Sequence, residues 1–310
     1  MKVSIIGAAG TVGSCTAFAI ATQGVADELV MLDFKQNLLA SHVMDIGTAA
    51  TLTHNIVIRS GNDEDLAGSD VVIMTASAPY RVITSRRELL GDNLPIIQDT
   101  AKKIKRFCPD AVVITATNPI DPLNYAMYLC SGLDRERLIG YPFNDSIRFR
   151  MMVTKALGVK STQVEGIAIG EHGENQVLLF SSVRVDGQPV TVSEHLKQNI
   201  RQEIPNILRS YESLGTGRTA GWTSAVGLAA MVSAITRDTG QVFPCSVVLT
   251  GEYGYHGLSM GVPVILGRGG VQQILQWELA LDEKEGLKRA ADVLKATAQS
   301  VEGTLGLNRR

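Results

Sequence analysis

Through the first 140 residues, short β-branched runs alternate with longer stretches whose apolar positions recur at helical spacing. The runs fall at 3–6, 29–32, 56–58, 71–74, 112–115 and 138–139. Such alternation predicts a parallel sheet with crossover helices, because strands covered on both faces read as continuous apolar segments. Beyond residue 142 the rhythm changes. The pattern there predicts a helix over 144–157, strands at 164–169 and 177–185, helices over 192–213 and 222–238, and β-rich stretches at 245–253 and 262–266. A closing helix is expected over 282–302, where Leu287, Ala290, Ala291, Leu294 and Ala298 form one core-facing stripe between charged positions. No repeat, low-complexity segment or Pro/Gly/Ser-rich linker interrupts the chain. Two closely packed units, 1–142 and 143–310, are therefore expected: an α/β unit built on a doubly wound parallel sheet, then an α+β unit.

Composition adds little that contradicts this. A chain of 310 residues that is 45% hydrophobic and 19% charged can bury a large core without cross-links. Its formal net charge of −2 includes no run of like charges, so neither nucleic acid nor a membrane surface is an expected partner, and small-molecule chemistry is. Residues 1–7 lead straight into a strand without a signal peptide, and no apolar run is long enough to span a bilayer; a cytoplasmic location is the expectation. Cys15, Cys108, Cys130 and Cys245 are scattered without a Cys-x-x-Cys pair, which fits reduced thiols and points to no metal site.

The first chemical signal is a glycine-rich turn, Gly7-Ala8-Ala9-Gly10-Thr11-Val12-Gly13, which follows the first strand and opens a helix. Gly7, Gly10 and Gly13 let backbone amides at a helix N-terminus approach a pyrophosphate, although such a turn can also merely pack a helix against a strand. Asp33 closes the second strand twenty residues after Gly13, where a carboxylate can accept hydrogen bonds from an adenosine ribose and repel a 2′-phosphate. Together they make the first unit a Rossmann-type dinucleotide-binding domain and favour NAD. Asp33 as a simple helix cap is the competing reading.

Five further segments carry a resemblance. Gly7–Gly10, Thr-Asn-Pro-Ile-Asp at 117–121, Asn-Asp-Ser-Ile-Arg-Phe-Arg at 144–150, Gly-Glu-His-Gly-Glu at 170–174 and Gly-Val-Pro-Val-Ile-Leu-Gly-Arg at 261–268 together resemble the lactate/malate dehydrogenase family, closest to its lactate-dehydrogenase-like malate dehydrogenases. The resemblance implies an NAD-dependent 2-hydroxy acid dehydrogenase, with 143–310 as the substrate-binding and catalytic domain. Malate oxidation to oxaloacetate is the expected reaction, with L-lactate or another 2-hydroxy acid as the alternative. It further implies a homo-oligomer, a tetramer by preference, and a cis Asn118–Pro119 bond.

Residue by residue, His172 resembles the family's proton-transferring histidine, a task suited to a group that titrates near neutrality. Asp145 resembles the carboxylate that orients it. Arg148 stands three residues on, which on a helix puts both side chains on one face, so that the guanidinium can grip a substrate carboxylate in a bidentate fork. Asn118 follows a strand, where open α/β sheets build ligand crevices, and looks like the family's asparagine between nicotinamide and substrate; Thr75 joins the cofactor-binding set. Residues 75–90 resemble the mobile loop that closes over substrate. There the arginine, leucine and asparagine spacing fits Arg86, Leu89 and Asn93, making Arg86 the carbonyl-polarising residue. Counting back six residues puts the substrate-discriminating position on Tyr80, with Arg81 one place late. If Arg87 were catalytic instead, Arg81 would have malate-enzyme spacing, but the leucine and asparagine would fall out of register. Ile83 and Ser77 replace two glycines usual in this loop, which predicts a stiffer hinge.

Two other classes compete. An NAD-dependent glycosidase would share the dinucleotide fold but needs a Cys/His metal site that the sequence does not offer. A non-catalytic dinucleotide-binding protein would have no need of an acid–base histidine beside a carboxylate.

Overall fold

The computed structural model describes residues 1–79, 86–216 and 220–307. The chain starts on β1 (Lys2–Ile6) and passes through α1 (Thr11–Gln23), β2 (Glu28–Leu32), α2 (Gln36–Ala50), β3 (Val57–Ser60) and β4 (Val71–Met74). It continues with α3 (Arg86–Phe107), β5 (Val112–Thr115), α4 (Ile120–Ser131) and β6 (Leu138–Gly140). These six strands pair in parallel in the order β3-β2-β1-β4-β5-β6. The order reverses between β1 and β4, the doubly wound arrangement in which ligands bind beyond the carboxyl ends of the strands. β4 and β5 are buried at every position, as expected of strands covered on both faces.

After α5 (Phe143–Leu157) come short strands: β7 (Val164–Glu165), β8 (Ala168–Gly170), β9 (Gln176–Leu178), β10 (Arg184–Val185) and β11 (Gln188–Pro189). Two helices follow, α6 (Glu194–Ser213) and α7 (Gly221–Thr236), then the long hairpin β12 (Gln241–Thr250) and β13 (His256–Gly267), β14 (Gly270–Ile274) and α8 (Leu281–Thr304). The hairpin extends the large sheet antiparallel to β6, joined at Ser246 and Gly140, and carries β8, β9 and β14 beyond it.

The apolar runs at 164–169 and 177–185 are thus not single strands. The first divides at Gly166 and Ile167 between the small sheet β11-β10-β7 and the large sheet, and the second divides at a 3₁₀ turn, Phe180–Ser182. Gly166 leaves little room for a side chain, because the Phe149 ring stands 3.1 Å from where its Cβ would be. Phe149 and Phe180 meet edge to face, 5.0 Å between centroids, in a second core completed by Val153, Val183, Ile200 and Ile204. The main core fills both faces of the large sheet, and the stripe expected on the last helix lies buried in it.

Candidate active site

The glycine turn sits at the carboxyl end of β1. Gly7 has φ +86°, and a Cβ there would lie 2.4 Å from the Ala76 amide nitrogen. At Gly13 a Cβ would lie 2.4 Å from the Gly7 carbonyl, so its absence lets α1 approach the turn. Gly10 precedes α1 in an extended conformation and provides no side-chain cap, and no acidic residue occupies the helix's first turn. The first amides of α1 and the positive end of its dipole are therefore available to an anion. Thr75 donates its hydroxyl to the carbonyls of Ile6 (2.9 Å) and Gly7 (3.2 Å), bracing the turn. Asp33 accepts from the amides of Ala9 (3.0 Å) and Lys35 (2.9 Å). A carboxylate with about four lone-pair sites keeps capacity for a ribose diol after two such bonds. This cradle fits a dinucleotide.

Asp145 lies in the first turn of α5, where a negative charge complements the helix dipole, and Arg148 follows one turn later. His172 lies two residues past β8. Two contacts dock that strand on the helix: the Ala168 amide donates to the Ser146 hydroxyl (2.8 Å), and Arg150 Nε donates to the Gly166 carbonyl (2.9 Å). With the backbone so fixed, His172 Nδ1 meets Asp145 Oδ2 at 2.6 Å, and Arg148 donates to Asp145 Oδ1 at 3.1 Å. All three side chains are largely buried, 8%, 6% and 11% exposed respectively. Burial removes the solvent screening that makes surface ion pairs weak, so this triad is a stiff electrostatic unit and not a surface i, i+3 pair.

Asn118 follows β5 at the same end of the sheet; its side chain is exposed, and the Asn118–Pro119 bond is cis. Asn93 on α3, 2% exposed, accepts from the Ala78 amide (2.7 Å) and donates to the Asn118 carbonyl (2.7 Å). That one side chain ties the segment entering residues 80–85 to the Asn118 turn. Thr117 adds a hydroxyl bond to the Ala76 carbonyl at 2.8 Å. Tyr80, Arg81 and Ile83 lie outside the described residues. Arg86 opens α3, and its side chain also lies outside what is described.

Residues without an assigned role in the sequence reading complete the surroundings. The His172 amide donates to Asp121 Oδ2 (2.7 Å), and the Ser246 hydroxyl donates to Asp121 Oδ1 (2.5 Å). Asp121 belongs to the quoted 117–121 segment, but among apolar neighbours it reads as an acidic residue at a helix start. Ser246 carries no signal at all in sequence, because only the β12 pairing brings it there. Asn144 bridges the Tyr141 hydroxyl and Ser224 on α7, both at 2.8 Å. Burial pushes the Tyr141 phenol well above its ordinary range, keeping it a neutral donor.

Comparison with known proteins agrees with this geometry. The family profile described as lactate/malate dehydrogenase, NAD binding domain, matches residues 1–140, and that described as lactate/malate dehydrogenase, alpha/beta C-terminal domain, matches 144–304. A malate dehydrogenase of Natronomonas pharaonis is 39% identical over 300 residues, covering 94% of this chain and 97% of its own. An L-lactate dehydrogenase of Clostridium perfringens is 30% identical over 302 residues, 95% of each chain. Among solved structures, the lactate dehydrogenase of Cryptosporidium parvum complexed with lactic acid and nicotinamide adenine dinucleotide superposes with a TM-score of 0.91. It is 29% identical, with 97% of this chain and 98% of that one covered.

Proposed function

The chain belongs to the lactate/malate dehydrogenase family and is an NAD-dependent oxidoreductase acting on a CH–OH group, and we propose that its substrate pair is malate and oxaloacetate. The buried His172–Asp145–Arg148 cluster and the glycine cradle support hydride transfer to a small 2-oxo acid, and the malate dehydrogenases among the relatives carry the choice of malate.

Gly7, Gly10 and Gly13 would hold the pyrophosphate, Asp33 the adenosine ribose, and Thr75 and Asn118 the nicotinamide end. Bound there, NAD supplies the acceptor or donor of the hydride exchanged with C2. Arg148 takes the substrate's C1 carboxylate by a planar fork that lysine could not reproduce. With Nδ1 held by Asp145, proton exchange with the C2 oxygen falls to Nε2 of His172, which takes the hydroxyl proton in oxidation and returns it in reduction. Asp145 fixes the ring and stabilises its imidazolium form. Arg86 polarises the carbonyl, and Arg81 takes the distal carboxylate of a dicarboxylic substrate with Tyr80 beside it.

The curated malate dehydrogenases at 37–39% identity support malate over lactate. The test is steady-state NADH consumption with oxaloacetate and pyruvate, on the parental chain and on Arg81→Gln. Oxaloacetate should be preferred, and losing one partner of a desolvated charge pair should reduce that preference roughly 30-fold or more. A parental chain that prefers pyruvate would make lactate the substrate.

The same reading includes a homo-oligomer, a tetramer by preference, and a cytoplasmic location. Support for assembly comes from large apolar side chains exposed on three adjoining helices: Phe18 on α1, Leu38 and Met44 on α2, Trp222 and Val226 on α7, with α1 packed against both of the others. The four cysteines form no disulfide, which suits a reducing compartment, and among the described residues no helix is long and apolar enough to cross a membrane.

A further inference from the structure

Behind the His172–Asp145–Arg148 cluster lies a second carboxylate that the reaction above does not use. Asp121 stands in the first turn of α4 and is 1% exposed. Its two oxygens accept from the His172 amide and the Ser246 hydroxyl. Ser246 in turn meets the Ser259 hydroxyl at 2.9 Å, and the Asn124 amide donates to Ser259 Oγ (3.0 Å) and to the Ser246 carbonyl (3.1 Å). The network spans α4, β12, β13 and the turn after β8, so the main chain at His172 is anchored to three other elements.

Hydrogen bonding alone does not demand a charge at this position. An asparagine could accept from the His172 amide with its oxygen and donate to Ser246, whose hydroxyl would turn toward Ser259. A buried charge is the expensive choice: desolvation pushes the Asp121 carboxyl up to about 6, with Glu171 adding to the rise, while Ser246, the His172 amide and the charge on His172 pull it down. What the charge adds is a field at the imidazole. Asp121 touches the main-chain amide of His172 and not its ring, and in a poorly screened interior an anion on the same residue's backbone favours the protonated imidazole.

We propose that Asp121 is a positioning residue that anchors the His172 main chain and, together with Asp145, biases the imidazole toward its protonated form. Among the described residues, Asp145 from α5 meets the His172 ring, Asp121 from α4 accepts from its amide, Glu171 stands next to it in its own turn, and Arg148 acts through Asp145. Glu171 is occupied by the amide and side chain of Asn175, which keeps its turn closed. The inference rests on His172 being the proton-transferring group.

The test uses full-length protein labelled with ¹³C at histidine Cε1, with the His172 signal assigned by its loss in His172→Asn. In Asp121→Asn the His172 titration midpoint should fall by about half a unit or more, since a nearby negative charge is gone. The alkaline limb of the kcat/KM profile for oxaloacetate reduction, which needs the protonated ring, should move to lower pH by the same amount, and kcat should fall more than KM. Ser246→Ala keeps the charge but removes one bond that stabilises it, and should shift the midpoint the same way by less. It carries the test should the asparagine variant fail to fold. A His172 titration unchanged in either folded variant overturns the proposal. Absence of turnover in the parental chain would instead strike the functional reading, because the ring titration reads the electrostatic role by itself.

Discussion

At His172 one contact makes the two ring nitrogens unequal. Nδ1 lies 2.6 Å from Asp145, which leaves Nε2 for the substrate in the proposed reaction, as a base in one direction and an acid in the other. Replacing His172 with asparagine should lower kcat by ~10² to 10⁴ while leaving NADH affinity within a few-fold, the usual scale for losing general acid–base catalysis. Stopped-flow turnover and fluorescence titration of NADH check the two halves, and near-normal turnover would remove His172 from the chemistry. Asp121 carries a prediction about stability. Its folded-state value of about 6 lies above the unfolded value, so the folded protein binds this proton more tightly. Below about pH 4 the group is neutral in both states, and across the window from about 4 to 6 stability falls as pH rises. Above it the penalty is fully present, of order 3 kcal/mol for roughly two pK units. Asp121→Asn should therefore be more stable than the parental chain in urea at pH 8, with a gap that narrows toward pH 5; equal stability at pH 8 would mean that the buried charge is not costly. Asp145 and Arg148 were legible because their spacing is local, and His172, 27 residues from Asp145, because its own segment is distinctive. Asp121 was not, since its partner Ser246 lies 125 residues away and Ser259, which Ser246 meets, joins it only through the pairing of β12 with β13.

Among the elements, the parallel strands were the most readable, because burial on both faces writes an unbroken apolar run. The strands after α5 were the least. Residues 164–169 look like one strand, yet the run passes from the small sheet to the large one at Gly166 and Ile167, where the Phe149 ring packs close. Alternation records which residues are covered, not which sheet covers them. Asn93 shows a similar limit: its place in the loop motif was visible, but not that it ties Ala78 to Asn118. The helices α1, α2 and α7 carry a different message, since apolar side chains face outward on all three. Trp222 on α7 is 69% exposed. If this face joins two copies of the chain, Trp222→Glu should leave the circular dichroism spectrum unchanged and shift the sedimentation coefficient toward a smaller species at micromolar concentration. A parental chain that sediments only as a monomer would rule out assembly through any face.

For the molecule as a whole, the site lies at the junction of the parallel sheet and its antiparallel extension. The cradle comes from the turn after β1 and from Asp33, the asparagine from the turn after β5, and the acid–base cluster from α5 and the turn after β8, all held by one sheet running from β3 to β9. The glycine turn and the His172 cluster are thus fixed relative to each other by strand pairing instead of by a flexible link between units. In the proposed reaction this arrangement passes a hydride directly between nicotinamide and C2 of a small 2-oxo acid while His172 supplies the proton. The most direct measurement is to mix the protein with oxaloacetate and NADH deuterated at the transferable C4 position in ordinary water, then locate the label in the product by NMR. The account predicts malate carrying one deuterium at C2 and hydrogen from solvent on its hydroxyl, with product formation reduced in His172→Asn in step with kcat. Malate without deuterium at C2, or no reduction of oxaloacetate under saturating NADH, would contradict it.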